Sequence, residues 1–384
     1  VFGYVVVNDI SAREVQRRFL QAHVQARGLG DVGEAILRRG GGGEEVLGQR
    51  EVDRRTIATV FGEVRVDRLA YHARRGESVH PLDEELELPG RSFSQEVQRC
   101  LVKAAVQGPY DEVVERLREA TRLSVSKRSA EQVVEDAARD VEAFYAQRTP
   151  LPAEETGAVL VGAVDGKGVP IRKPEPALKV VRRGKGEKAN KKKMATVAAV
   201  FCRDPCVRTP EEVVESLFRE GPRPAGPPPE RVYPEQKRVF ASLKRTKEEV
   251  IGEMAAEMGR RDPDGAKAWV CVCDGERALQ QRVASRLPGV VLVLDLLHVL
   301  EYLWKTAHAF YGEGSPEAEA WVRSHALMIL QGRGSQVGKG MRQSATKRKL
   351  IGARRKAVLG AAAYFYTNRD RMRYHVYLAR GLPI

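Results

Sequence analysis

Two apolar runs in this chain each end on an aspartate followed by glycine, Val159 to Asp165-Gly166 and Ala268 to Asp274-Gly275. Runs of Val, Leu, Ala and Cys of this length read as strands buried on both faces, which have no use for a carboxylate until the chain leaves the sheet. Two strands that each deliver an acid at that exit call for a sheet edge that gathers carboxylates. Either Asp-Gly alone is also an ordinary turn. Together, Asp165 and Asp274 are candidate catalytic residues and ligands for Mg²⁺ or Mn²⁺, because such ions take hard oxygen donors. Two such ions roughly 3.5–4 Å apart can activate an attacking oxygen and stabilise a leaving one in phosphoryl transfer.

The order of elements predicts the surrounding fold. Strands are expected at Val159–Val164, Val169–Arg172 and Met194–Cys202, the first two joined by a Gly166–Gly168 turn. Thr209-Pro210-Glu211-Glu212 is a capping signal for a helix to about Arg219. Residues 235–258 read as helical, followed by strand Ala268–Cys273, helix Glu276–Ser285 and strand Val290–Leu294. Hairpin strands followed by alternating helices and strands predict an α/β core with a mixed, RNase H-like sheet over residues 157–300. Asp295 and His298 follow the last strand; they read either as an N-cap and a packed histidine or as further active-site residues. A basic α-helical region is expected over 301–384.

Upstream, residues 1–47 read as a short helical segment with a Gly40–Gly43 linker, and 48–90 as a small β element, its hairpin within Thr56–Ala70 followed by a turn at Pro81. Residues 91–150 predict three helices, Ser94–Gln107, Tyr110–Ala120 and Lys127–Ala146, at helix-turn-helix spacing with Ser126 as a cap. Lys127 and Arg128 oppose the helix dipole in the first turn of the third helix, and a DNA phosphate would relieve that cost. Plain three-helix packing is the alternative, since nine basic and ten acidic residues over 91–146 leave no electropositive surface.

The formal net charge is +14 and is unevenly spread. Residues 331–384 carry thirteen Lys or Arg and one acid, and residues 167–208 thirteen and three, leaving the remainder acidic. Segregated positive charge suits a phosphate backbone. Lys191, Lys192, Lys193, Lys347, Arg348, Lys349, Arg354, Arg355 and Lys356 are therefore candidate DNA contacts, with solvated basic loops as the alternative. Five scattered cysteines favour buried thiols in a reducing compartment, and the cytoplasm is the expected location. No apolar run approaches the roughly 20 residues of a bilayer span. Gly334–Gly340 imitates a phosphate-binding loop but lacks its spacing and its final Ser or Thr.

The segments Val-Gly-Ala-Val-Asp165-Gly-Lys-Gly-Val-Pro, Lys-Met-Ala-Thr-Val-Ala-Ala-Val-Phe, Val-Arg-Thr-Pro-Glu-Glu, Val-Cys-Asp274-Gly-Glu and Val-Leu-Asp295-Leu-Leu-His298-Val-Leu-Glu-Tyr-Leu-Trp resemble bacterial insertion-sequence transposases of the Kra group, relatives of Mutator-like transposases. The resemblance implies an Asp, Asp, Glu triad on an RNase H-like fold, with Asp165 and Asp274 as the first two acids and Asp295 and His298 as the paired residues after the following strand. It further implies double-stranded DNA, both element ends and target, as partner, and a homo-oligomer when assembled on DNA. The family's third acid lies on a helix beyond the helical insertion, and no residue up to Ile384 is assigned to it. The chain as given is expected to bind DNA better than it cuts it, the alternative being a non-catalytic DNA-binding remnant or regulator.

Overall fold

The computed structural model describes residues 15–38, 44–72, 78–170, 192–218 and 232–384. The chain divides into two units, Val1–Arg148 and Thr149–Ile384.

The first unit begins with helical residues 15–26 (α1), then an antiparallel pair, β1 (Ala35–Arg38) and β2 (Glu44–Leu47). The sequence predicted only a helix and linker here; Gly40–Gly43 lie outside the described residues. The β hairpin is longer than expected, β3 (Arg50–Thr59) against β4 (Gly62–Tyr71). Pro81 does not make a bare turn but opens a short helix, α2 (Pro81–Glu85), at the position where proline's missing N–H costs nothing.

Helices α3 (Gln95–Ala105), α4 (Tyr110–Thr121) and α5 (Lys127–Arg139) bury Val97, Leu101, Val113, Leu117, Ala130 and Val133 in one cluster. The Ser126 hydroxyl accepts the Ser129 N–H at 3.0 Å, as the capping reading required. The third predicted helix is in fact two. It breaks at Asp140, and α6 (Val141–Gln147) buries none of its residues, so no packing holds it in line with α5.

The second unit is a mixed α/β body. Its five-stranded sheet runs β7 (Glu235–Ser242), β6 (Lys192–Arg203), β5 (Val159–Pro170), β8 (Ala268–Cys273), β9 (Val291–Leu294). Strands β5, β8 and β9 are parallel; β6 is antiparallel to both β5 and β7. Three expectations for this body are corrected. First, β5 does not turn at Gly166–Gly168 but continues to Pro170 because β6 supplies ladder partners throughout, Asp165 opposite Val197 and Pro170 opposite Lys192. Lys192 and Lys193 accordingly belong to β6 rather than to a loop; Lys191 lies outside the described residues. Second, residues 235–242 are an edge strand. Their helix-forming Glu, Gln, Lys and Arg are overridden by pairing with β6 and by burial of Phe240. Third, the helix after that strand, α8 (Lys247–Arg261), starts at Thr246, whose hydroxyl and Glu249 form a reciprocal capping box.

Two cores flank the sheet. On one face Leu160, Val164, Cys271 and Cys273 pack against α8 and α9 (Arg277–Arg286). Gly162 allows the close approach there, since a Cβ would lie 3.0 Å from the Met258 sulfur. On the other face Val159, Val161, Val270 and Val293 join α7 (Pro210–Leu217) and the helices α10 (Leu296–Phe310), α11 (Pro316–Leu330), α12 (Gly334–Lys347), α13 (Gly352–Asn368) and α14 (Tyr374–Ala379). The expected C-terminal helical region is present, beginning at Leu296. The imitation phosphate loop, Gly334–Gly340, is helical within α12.

Candidate active site at the ends of three parallel strands

Strand register brings the predicted acids together. Val164 of β5 pairs with Cys273 of β8, and Cys273 pairs with Leu294 of β9. The residue following each of the three is an aspartate: Asp165, Asp274 and Asp295. Three acids far apart in sequence thus occupy equivalent positions just past the last pairs of the parallel β5, β8 and β9 ladder. Asp295 is tied there directly, its N–H donating to the Cys273 carbonyl at 2.9 Å. Beyond this point β5 continues only alongside β6, while β8 and β9 stop, and the carboxyl ends of parallel strands are where α/β sheets place ligands.

Alternation along β5 sets the direction of Asp165. Leu160 and Val164 face α8 and α9, so Asp165, with the parity of Val159 and Val161, belongs to the face covered by α10. His298 comes from the first turns of α10, and its Nε2 lies 4.0 Å from Asp165 Oδ1, with the histidine 27 % and the aspartate 56 % exposed. Asp295 also caps α10, accepting the Leu297 N–H at 2.8 Å. Its expected structural role is therefore real and coexists with a place in the acidic edge.

Each carboxylate has one oxygen committed to backbone: Asp165 to the Gly166 N–H at 2.7 Å, Asp274 to the Glu276 N–H at 2.9 Å, and Asp295 to the Leu297 N–H. The second oxygen of each has no hydrogen-bond partner among the described residues. This donor set suits Mg²⁺ or Mn²⁺, which accept carboxylate oxygen while keeping waters and taking substrate oxygens. Among the described residues no three His, Cys, Asp or Glu side chains converge enough to enclose a metal ion by themselves.

The surroundings of Asp274 were not legible in the sequence. Gly275 lies against Tyr364 of α13, and a Cβ there would sit 2.2 Å from the tyrosine ring. Tyr364 stacks on Tyr302 of α10 with centroids 4.0 Å apart. Burial, then the neighbouring Tyr302 and the Asp274 charge, push the Tyr364 hydroxyl above its usual range. Gln280, buried on α9, donates to the Asp274 carbonyl at 2.9 Å and to Asn368 Oδ1 at 3.0 Å, and Asn368 donates in turn to the Tyr364 carbonyl at 3.0 Å. This satisfied buried relay locks the β8 exit between α9 and α13. Beneath it, burial and then the Asp274 charge push the Cys273 thiol up to about 12, against the opposing influence of Arg371. Cys273 is a buried, free thiol, as the reading of buried thiols expected for it.

The candidate phosphate contacts divide by environment. Lys192, Lys193, Lys347, Lys349, Arg354, Arg355 and Lys356 are exposed. No Asp or Glu occurs between Glu319 and Asp370, so the α12–α13 hairpin presents cations without local acids. Arg348 is exposed but engaged, donating to the Phe310 carbonyl at 3.1 Å and the Tyr311 hydroxyl at 3.0 Å, with its guanidinium over both rings. Lys127 is ion-paired to Asp111 on α4, which offsets its unfavourable helix position internally; Arg128 is exposed. A separate cavity of about 780 Å³, lined by first-unit residues including Arg17, Phe61, Phe93 and Arg122, contains none of the aspartates. Among the described residues no helix is long and apolar enough to cross a membrane.

Residues 45–199 match the profile of an uncharacterised protein family, UPF0236. The matched stretch contains Asp165 and ends before Asp274. No curated protein matches the chain. Among solved structures it is similar to the Drosophila P element transposase strand transfer complex, at 8 % identity and a TM-score of 0.31 over 71 % of this chain and 63 % of that one. The chain therefore spans less than two thirds of that protein's length.

Proposed function

We propose that this chain carries the strand-cleaving and strand-joining site of a DNA transposase of the Asp, Asp, Glu type, on an RNase H-like sheet. The observation that carries the reading is the register in which Val164, Cys273 and Leu294 align and each is followed by an aspartate. The strand order, with the first strand central and the next two running outward from it as an antiparallel meander, supports the RNase H-like assignment, as do the motifs around Asp165, Asp274 and Asp295-Leu-Leu-His298. The acid-free surface of α12 and α13 supports DNA as the partner.

A bound Mg²⁺ or Mn²⁺ would supply Lewis acidity and a deprotonated oxygen at neutral pH, held by Asp165 and Asp274. In cleavage, a water oxygen bonds to phosphorus while the P–O3′ bond breaks; the water gives one proton to solvent, and the departing O3′ takes one from solvent to become a 3′-hydroxyl. In joining, that hydroxyl repeats the displacement on a target phosphodiester. The chain's own contribution is placement. The ladder fixes the spacing of the carboxylates, backbone N–H groups orient one oxygen of each, and His298 stands 4.0 Å from Asp165.

The test is Mn²⁺ binding by the 384-residue chain, followed by calorimetry, alongside duplex binding and nicking of supercoiled DNA. Asp165→Asn and Asp274→Asn should each weaken Mn²⁺ at least about tenfold while duplex binding persists. Mn²⁺ affinity unchanged in the double variant, or duplex binding lost in step with it, defeats the proposal. Duplex binding without any Mn²⁺ uptake by the unsubstituted chain would favour a DNA-binding protein without cleavage.

A further inference from the structure

The turn Arg369–Arg371, between α13 and α14, is anchored beside the strand ends from both sides. On its far side Tyr374 donates its hydroxyl to the Leu294 carbonyl at 2.8 Å, and the Tyr377 hydroxyl lies 3.4 Å from the Leu292 carbonyl and 3.3 Å from that of Asp370. On its near side Asn368 is held by Gln280, which also holds the Asp274 carbonyl. The backbone bearing Arg371 is therefore fixed to the strands that deliver Asp274 and Asp295.

Within this frame Arg371 makes no hydrogen bond or ion pair among the described residues, and its Nε is buried without a partner. Beyond the effect of burial, the Asp274 and Asp295 charges push the Cys273 thiol up while the Arg371 charge pulls it down, in keeping with that placement. A buried donor left unpaired is costly, more so when charged. Its neighbour Arg369 has an ordinary surface environment, 63 % exposed and 3.7 Å from Asp370. A cation whose backbone is fixed to the acid-bearing strands, yet which makes no ion pair among the described residues, is arranged for an anion that arrives from outside. A guanidinium fork matches two phosphate oxygens in a way an ammonium does not.

We infer that Arg371 is a substrate-positioning residue that donates to a non-bridging oxygen of the phosphodiester seated at Asp165, Asp274 and Asp295. The inference rests on the reading of that edge as a phosphodiester-cleaving site. It adds a residue that neither the acidic motifs nor the basic clusters single out.

The probe is fluorescein-labelled tetrathymidylate, too short to span the helical hairpin, titrated by anisotropy with the full chain in Ca²⁺. Arg371→Ala should weaken binding about tenfold or more and flatten the salt dependence by about 0.7 in log–log slope, the share of one phosphate on a single strand. Arg371→Lys should recover part of the affinity, and Arg369→Ala should change neither quantity. The tryptophan-detected unfolding midpoint of Arg371→Ala should stay level or rise, because the lost donor was unpartnered. Calcium-dependent binding that Asp165→Asn abolishes but Arg371→Ala leaves intact overturns this inference and spares the site. A wild-type chain with no calcium-dependent binding of the probe overturns both.

Discussion

Glu257 offers a quantitative test of the scaffold that holds Asp165 in place. It sits on α8, 4 % exposed, and accepts from Arg238 on β7 at 2.7 Å and from Arg261 at 2.8 Å, with Arg260 also bonded to it. Arg238 belongs to the edge strand, and Arg261 donates onward to the Val200 carbonyl of β6, so one carboxylate fastens two strands to the helix above them. Burial alone would push this carboxyl up, but the hydrogen bonds from Arg260, Arg261 and Arg238 outweigh it and lower it from 4.5 to about 2. At about 1.4 kcal/mol per pH unit, the difference corresponds to about 3 kcal/mol of native-state preference for the ionised form. Because the folded value is depressed, this stability is fully present above pH 4.5 and is lost as pH falls toward 2. Glu257→Gln removes the charge and leaves the 5 %-exposed Arg261 facing a neutral amide, which should cost about 3–5 kcal/mol at pH 7. All three tryptophans, Trp269, Trp304 and Trp321, lie in the second unit, so their fluorescence in urea reports that unit alone. The variant should also lose about 3 kcal/mol less than the wild type between pH 4.5 and 2. A destabilisation below about 1 kcal/mol, well short of a buried pair's worth, or identical pH dependences for the two proteins, would refute the argument.

Gly275→Ala forces a Cβ into the Tyr364 ring and should destabilise the second unit by about 1–3 kcal/mol; in a Tyr364→Ala background the same substitution should cost little, whereas additive losses in a double-mutant cycle would contradict the contact. Replacing Lys347, Lys349, Arg354, Arg355 and Lys356 with Gln should weaken duplex binding and reduce the slope of log affinity against log salt by as much as about 0.9 per contact removed, measured by anisotropy; an unchanged slope would show that the α12–α13 surface does not meet phosphate. Cys273, with its thiol raised to about 12, should resist iodoacetamide in the native protein at pH 8 and react only on unfolding, as mass spectrometry of the modified peptides would reveal.

The elements with strong local signals were legible from the residues alone. The apolar runs before Asp165, Asp274 and Asp295 are strands, Thr209-Pro210-Glu211-Glu212 opens a helix through a capping box, and Ser126 caps another. These succeed because a buried strand needs continuous apolar residues and a helix start needs a local acceptor, and both demands are met within a few positions of sequence. Residues 235–242 failed because their composition favours a helix while the free edge of β6 favours a strand, and a ladder contributed by residues far along the chain decided between them. The continuation of β5 past Asp165 was hidden for the same reason, since its partners lie on β6 beyond the intervening segment.

The acids themselves were visible in sequence, and so was the chemistry that carboxylates at strand ends can support. Their alignment was not. Only the register of β5, β8 and β9 makes Asp165, Asp274 and Asp295 equivalent, and only the docking of α10 brings His298 to 4.0 Å from Asp165. Tyr364, Gln280, Asn368 and Arg371 carry no motif at all, because their roles arise from where α9, α13 and the turn after it meet the strand ends. Local sequence determined the apolar strands and set an aspartate after each apolar run; long-range pairing and helix packing, which no short window encodes, decided which of those carboxylates stand together and what surrounds them.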